Sequence, residues 1–355
     1  MAPQVLANVR GIRTRLAVFR WASLVSLCAC MSAPAPEQTS ASWERLASLQ
    51  PVVIEPAPPA VLQASEGSAT RAAFRNVDFH MTPDVVLDIH YLDGAMRSVA
   101  AGQPVVFDDK ASFVIEIDTA RVGLTPTNLD HLMNRYVFSY DGAPLRKLRF
   151  AVKDGHLVQS GVLHKVVDIP FQITAALSVT DEGRIRIHPV AMRIFGVDGM
   201  GLMSALGIQL DKLLDLRKAR GVSVQGNDLL LQPDRLLPPP AIAGRVVAVR
   251  VDNGEVVQIF GHDSGSVRAS ARALAPLDSS AVNYMRFSGG TLRFGKLFMV
   301  HADMQIIDSD QHDPFDFSID DYNRQLVAGY SRNTLDGGLK VYMPDLGDAR
   351  GTLSN

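Results

Sequence analysis

The stretch Val167-Asp-Ile169-Pro-Phe171-Gln-Ile173-Thr-Ala175-Ala-Leu177-Ser-Val179 decides the fold. Val167, Ile169, Phe171, Ile173, Ala175, Leu177 and Val179 fall at every second position, with Asp168, Gln172, Thr174 and Ser178 between them. Side chains alternate across a strand, so the pattern predicts one apolar face and one wet face. At ~3.3 Å per residue the strand would run about 40 Å, more than twice a usual strand. Asp181-Glu-Gly183 reads as the turn that follows, and Arg184–Ile194 as the returning strand.

The same period extends outward in both directions. Leu148–Val152 and Leu157–Leu163 flank Lys153-Asp-Gly155 as a second hairpin. Val85, Leu87, Ile89 and Tyr91 alternate with Val86, Asp88 and His90, and Phe113, Ile115 and Ile117 with Val114, Glu116 and Asp118. Val246–Val251 and Glu255–Phe260 face each other across Asp252-Asn-Gly254, a turn of the type that joins two strands. Short strands are expected at Val222–Val224 and Leu229–Leu231, and strands again over 284–344. Together these predict a meander of long antiparallel strands, wet on one side.

Two helices stand out. Thr125-Pro126 is an N-cap followed by proline at the first helical position, ahead of the stripe Leu129, Leu132, Met133 and Tyr136. A longer helix is expected over 199–217, with Leu202, Leu206, Leu210, Leu213 and Leu214 on one face and Gly221 closing it. At about 30 Å it would nearly match the long strands, so a sheet could wrap along it.

The N-terminus predicts export. Arg10, Arg13, Arg15 and Arg20 precede the first acid, Glu37, and the apolar run Trp21–Cys30 follows. A basic segment before a short apolar core is the pattern of a signal peptide, and about 10 residues is half a membrane span. Leu27-Cys28-Ala29-Cys30 resembles the lipobox of bacterial lipoproteins, which implies lipidation of Cys30; a signal peptide cut near Ala33 is the alternative. Cys28 and Cys30 are the only cysteines, so the body is held without disulfides. Residues 31–70, rich in Pro, Ala and Ser, read as a flexible tether. Beyond it the expected units are a domain over 74–260, a linker loop over 261–281 and a β-rich segment over 282–355. A net charge of −2 gives no basic field for nucleic acid.

Catalytic motifs are absent. There is no Gly-x-Ser-x-Gly, and Gly196-Val-Asp-Gly-Met-Gly201 has neither the spacing nor the βαβ setting of a dinucleotide loop. Asp303, Asp308, Asp310, Asp313 and Asp316 gather as calcium loops do, but without the glycine and distal glutamate of an EF-hand, so a solvated turn is the reading preferred. His301 and His312 lack metal-ligand spacing. No cofactor and no resident metal are expected.

The order of elements, a leader, a short capped helix, long meandering strands, a long amphipathic helix and more strands, is similar in layout to TULIP-type lipid-binding domains. These include the bactericidal permeability-increasing protein family and bacterial envelope relatives, and the likeness covers roughly 74–260. It implies an α+β, β-dominated fold in which a long curved antiparallel sheet wraps a long amphipathic helix, with a C-terminal β-rich extension. It also implies acyl chains held inside and no catalysis, while the leader and lipobox imply a membrane-anchored place on the periplasmic side of a bacterial envelope. By pattern, the lipid lining falls to Phe171, Ile173, Leu177, Leu202, Leu206 and Leu210. Two alternatives stand beside it. One is an adaptor lipoprotein that binds an envelope protein through the aromatic-rich segment Tyr284–Asp345. The other is a hydrolase whose site is assembled from distant residues.

Overall fold

A computed structural model describes residues 69–165, 167–201, 209–262 and 274–352 of the 355. Cys30, the leader, the tether, Leu202 and Leu206 lie outside the described residues, as does much of the expected loop 261–281. No helix among the described residues is long and apolar enough to cross a membrane.

The chain is β-dominated, in two sheets. The deciding stretch forms the strand Asp168–Val179, which returns as Ile185–Ile194. These two belong to a seven-stranded antiparallel sheet, ordered Val222–Gln225, Asp228–Leu231, Ile185–Ile194, Asp168–Val179, His156–His164 and Leu145–Lys153. The short strand Val197–Asp198 folds back on the end of Ile185–Ile194.

The larger sheet has twelve strands. Its path runs Val246–Asp252, Glu255–Phe260, Phe113–Leu124, Val85–Ser98, Thr70–Thr82, Tyr284–Phe294, Leu297–Asp308, Leu339–Met343 and Tyr330–Asn333. The C-terminal strands are therefore built into the sheet of the N-terminal ones: Ala73 faces Arg286 and Phe74 faces Met285. The strand Thr70–Thr82 changes partner at Asn76, where φ is 49°. Residues 71–75 pair with Tyr284–Phe294, and 77–80 pair in parallel with Phe315–Ser318. The sheet is thus mixed, not purely antiparallel.

One hydrophobic core joins the inner faces of both sheets. Phe107 is an aromatic hub, with ring centroids 5.1 Å from Phe294, 5.4 Å from Tyr322 and 6.0 Å from Phe113. Five aromatics that the sequence offered to a partner surface, Phe287, Phe294, Phe315, Phe317 and Tyr322, are fully buried here. Phe298 and Tyr330 remain exposed.

The first helix forms as its cap requires. Thr125 accepts from the Asn128 amide at 3.2 Å, and the helix spans Pro126–Leu132, continuing as a π-turn over Met133–Val137. It docks on the seven-stranded sheet through polar groups. Asn134 exchanges two hydrogen bonds of 2.8 Å with the backbone of Leu148, and Asp130 accepts from the Phe150 amide at 2.6 Å.

The long helix expected over 199–217 is broken, which corrects the wrapped-helix architecture. Residues 199–201 are helical, but Gln209 is extended (φ −108°, ψ 157°), the helix Leu210–Leu213 lasts one turn, and Leu214 is extended again (φ −110°, ψ 117°). The cause is the turn at Gly226-Asn227. Asn227 Oδ1 accepts from Leu210 N and Gly226 O from Asp211 N, both at 3.0 Å, while Asp211 Oδ2 accepts from Gly226 N at 3.2 Å. Amides that a preceding helical turn would have satisfied are bonded to this hairpin instead. The leucine stripe then packs as a short turn against the sheet, with Leu210 and Leu214 buried.

Candidate functional site

A row of apolar cavities runs through the core, and its middle member is walled by both sheets. The first lies under the deciding hairpin. Leu163, Ile169, Phe171, Ile173, Met192 and Ile194 of the smaller sheet face Leu210, Leu213 and Leu214, and the space between is about 40 Å³. The second, also about 40 Å³, lies further along the same strands, between Leu157, Leu177, Ile187 and Leu231 on one side and Leu129, Leu132 and Val256 on another. The third, about 20 Å³, lies under the larger sheet among Phe74, Leu87, Ile115 and Phe260. Leu237 and Gln258 line both the second and the third.

The residues expected to line a ligand site are thereby placed. Phe171, Ile173 and Leu210 meet at the first cavity, and Leu177 stands in the wall of the second. Leu202 and Leu206 lie outside the described residues. The sequence reading missed the polar members, Gln159 in the first cavity and Gln258 in the other two. Both were detectable as polar residues inside apolar alternations, Leu157–Gln159 and Val256–Gln258–Phe260. Gln258 is buried, and its Oε1 has no hydrogen-bond partner among the described residues. An unpaired amide oxygen in an apolar interior costs about 1–3 kcal/mol, so it marks a place where a donor would be welcome.

The first cavity sits near an end of the smaller sheet that carries exposed apolar side chains. Val167, Phe195 and Val197 are each more than 60 % exposed there. Phe195 and Gly196 close the hairpin between Ile194 and Val197 with φ of 51° and 80°. Two positive φ values in a two-residue turn call for Asn, Asp or Gly, and a phenylalanine there is strained.

A second constellation occupies the outer face of the larger sheet. Inward Val77, Phe79, Leu87 and Ile89 alternate with outward Asp78, His80, Asp88 and His90. Asp78 lies opposite Asp88 in register, and the parallel strand adds Asp316, whose Oδ1 is 2.5 Å from His80 Nε2. Glu255 completes the group: its Oε1 is 3.3 Å from His90 Nε2, which is 3.6 Å from Asp88 Oδ2. Burial, reinforced by Asp88, Asp316 and Glu255, pushes the Asp78 carboxyl up to about 6. Burial and then the Asp88 charge also raise Glu255. Donor atoms of Asp88, His90 and Glu255 lie within 4.8 Å of one another, a set that suits a divalent ion such as zinc. His90 Nε2 stands between the two carboxylates, within 3.6 Å of each. The sequence could not have assembled this group, because it comes from four separated strands.

Three of the gathered aspartates have partners: Asp303 with Arg286, Asp310 with His312 and Asp316 with His80. Comparison of the chain with family models, with curated proteins and with solved structures finds no match.

Proposed function

We propose that this protein holds an apolar ligand, an acyl-chain lipid, between its two sheets, and does so as an exported protein tethered to a membrane through Cys30. The observation that carries the reading is the row of three cavities with apolar walls and, in two of them, the unpartnered Gln258 oxygen. Binding sites for such ligands are mostly apolar with a few polar groups that orient one end. Gln258 would accept from a hydroxyl or amide of the ligand.

The cavities are narrow, each with room for about one to three waters. An acyl chain must therefore part their walls. The wall suited to yield is the one-turn helix Leu210–Leu213, which is held by a few hydrogen bonds to the 226–227 turn rather than by a long helix. Phe195, Val167 and Val197 would meet the lipid surface beside that entrance. The described residues that line the three cavities are apolar apart from Gln159 and Gln258.

The test is extraction of detergent-free protein and mass spectrometry of what dissolves, together with titration by a fluorescent fatty acid. Bound lipid and saturable probe uptake are expected, and Leu213→Trp should lower uptake severalfold while leaving the melting transition in place. Protein that carries no lipid and takes up no probe would sink the reading. A protein partner copurifying in its place would turn it toward an adaptor.

A further inference from the structure

Three aspartates that line none of the three cavities, Asp308, Asp313 and Asp345, gather elsewhere in the fold. Asp308 is the last residue of the strand Leu297–Asp308, and Asp313 precedes the strand Phe315–Ser318 by two residues. Asp345 follows the strand Leu339–Met343 by two. The topology brings the three together. Leu297–Asp308 and Leu339–Met343 run parallel, with Asp308 opposite Met343, and the Ser309 amide donates to Met343 O at 2.8 Å. Both strands therefore deliver their C-terminal ends, and the aspartates beyond, to one place. A carboxylate oxygen from each of Asp308, Asp313 and Asp345 lies within 4.8 Å of the other two.

Three carboxylates at that spacing repel one another when charged. None of the three forms an ion pair among the described residues, although many of the other aspartates do. Asp308 is 1 % exposed, and its Oδ2 has no hydrogen-bond partner. Its Oδ1 is pinned by the Asp310 amide at 2.9 Å, and Asp345 Oδ1 by the Asp316 amide at 2.8 Å. Each carboxylate is thus oriented through one oxygen. A buried carboxylate with an unpartnered oxygen beside two further carboxylates is costly in its charged form, and a cation among the three would relieve that cost.

We infer that Asp308, Asp313 and Asp345 form a binding site for a calcium ion that ties the ends of two parallel strands of the larger sheet to the loop between them. Calcium is bound by oxygen ligands at about 2.3–2.6 Å, so oxygens sharing one ion lie no more than about 5 Å apart, as these do. The set contains no nitrogen or sulfur, which disfavours zinc. Two ligands come from loops and one is exposed, so waters complete the shell and the geometry is loose, which suits calcium over magnesium. The site differs from the loop considered from sequence alone: Asp303, Asp310 and Asp316 are engaged elsewhere, and Asp345, distant in the chain, replaces them.

The experiment is calorimetric titration of chelator-treated full-length protein with CaCl2 and, separately, MgCl2, alongside thermal melts. Saturable calcium binding is expected in the range of extracellular sites, about 0.1–1 mM, with a calcium-dependent rise in Tm. Asp308→Asn and Asp313→Asn should each weaken binding by about tenfold or more. Asp308→Asn removes an unpaired buried charge, so it should fold at least as well as the parent without calcium. Asp313 is exposed, so its variant guards against misfolding as an explanation. Asp310→Asn should bind as the parent does. No saturable binding up to about 10 mM, or binding that survives Asp308→Asn, would overturn the site. An equal response to magnesium would overturn its assignment to calcium.

Discussion

The carboxylate of Glu255 occupies the space directly above Gly123: a Cβ built at residue 123 would stand 2.0 Å from Glu255 Oε2. Any side chain at residue 123 would therefore force the Glu255 carboxylate to move. With glycine there, Glu255 Oε1 sits 3.3 Å from His90 Nε2. Gly123→Ala is therefore expected to expel Glu255 from the cluster and to destabilise the fold by about 1–3 kcal/mol, the range for overpacking. Urea denaturation of the variant checks this. A variant as stable as the parent would show that Glu255 swings away without cost.

The cluster around Asp78 sets a pH dependence. Asp78 and Glu255 are raised in the folded protein, Asp78 to about 6. A carboxyl raised on folding is disfavoured in its charged form, so the stability it supports is fully present below the unfolded pKa of about 3.9–4.3 and is lost as pH rises through the folded value. Asp88, Asp316, His80, His90 and Glu255 all face this group. The contribution of the cluster to Tm should fall between about pH 4 and pH 7. Asp78→Asn should flatten that decline and melt higher than the parent at pH 8. An unchanged profile in that variant would place the pH dependence elsewhere.

How much of this was legible beforehand divides along one physical line. Alternation over 167–179 is a local property, and the strand Asp168–Val179 formed where it pointed. The leucine stripe from Leu202 to Leu214 is equally periodic, yet Gln209 is extended and the amides of Leu210 and Asp211 bond to the 226–227 turn. Periodicity reports which side chains want burial, and a competing set of hydrogen bonds decides the backbone. Sites read least well, because their members come from distant segments. Asp308 was visible as part of an acidic loop, whereas Asp345 became its neighbour only through the parallel pairing of two strands.

Phe195 trades stability for exposure. It has φ of 51° and 65 % of its surface exposed, at the tip of a two-residue turn. Left-handed backbone costs an ordinary residue about 1–2 kcal/mol, and asparagine less. Phe195→Asn should therefore raise stability by up to about 1 kcal/mol and should lower sedimentation with anionic phospholipid vesicles severalfold. Unaltered vesicle binding by the stabilised variant would show that Phe195 makes no membrane contact.

Gln258 offers the sharpest separation of structure from function. Its Oε1 is buried between two apolar cavities and is bonded to nothing among the described residues. If packing alone governed this position, an apolar side chain of similar size would serve better, because a buried unsatisfied polar group costs about 1–3 kcal/mol. Gln258→Leu is accordingly expected to stabilise the protein by about 1 kcal/mol and to raise Tm by a few degrees. The same change removes the polar side chain that, among the described residues, lines both the second and third cavities. Uptake of a hydroxylated or amide-bearing lipid probe should then drop severalfold, while a plain hydrocarbon probe is held as before. Denaturation and the two probe titrations on one preparation decide the matter: gain of stability with loss of the polar probe supports a ligand contact at Gln258. Equal loss of both probes would point instead to a collapsed cavity.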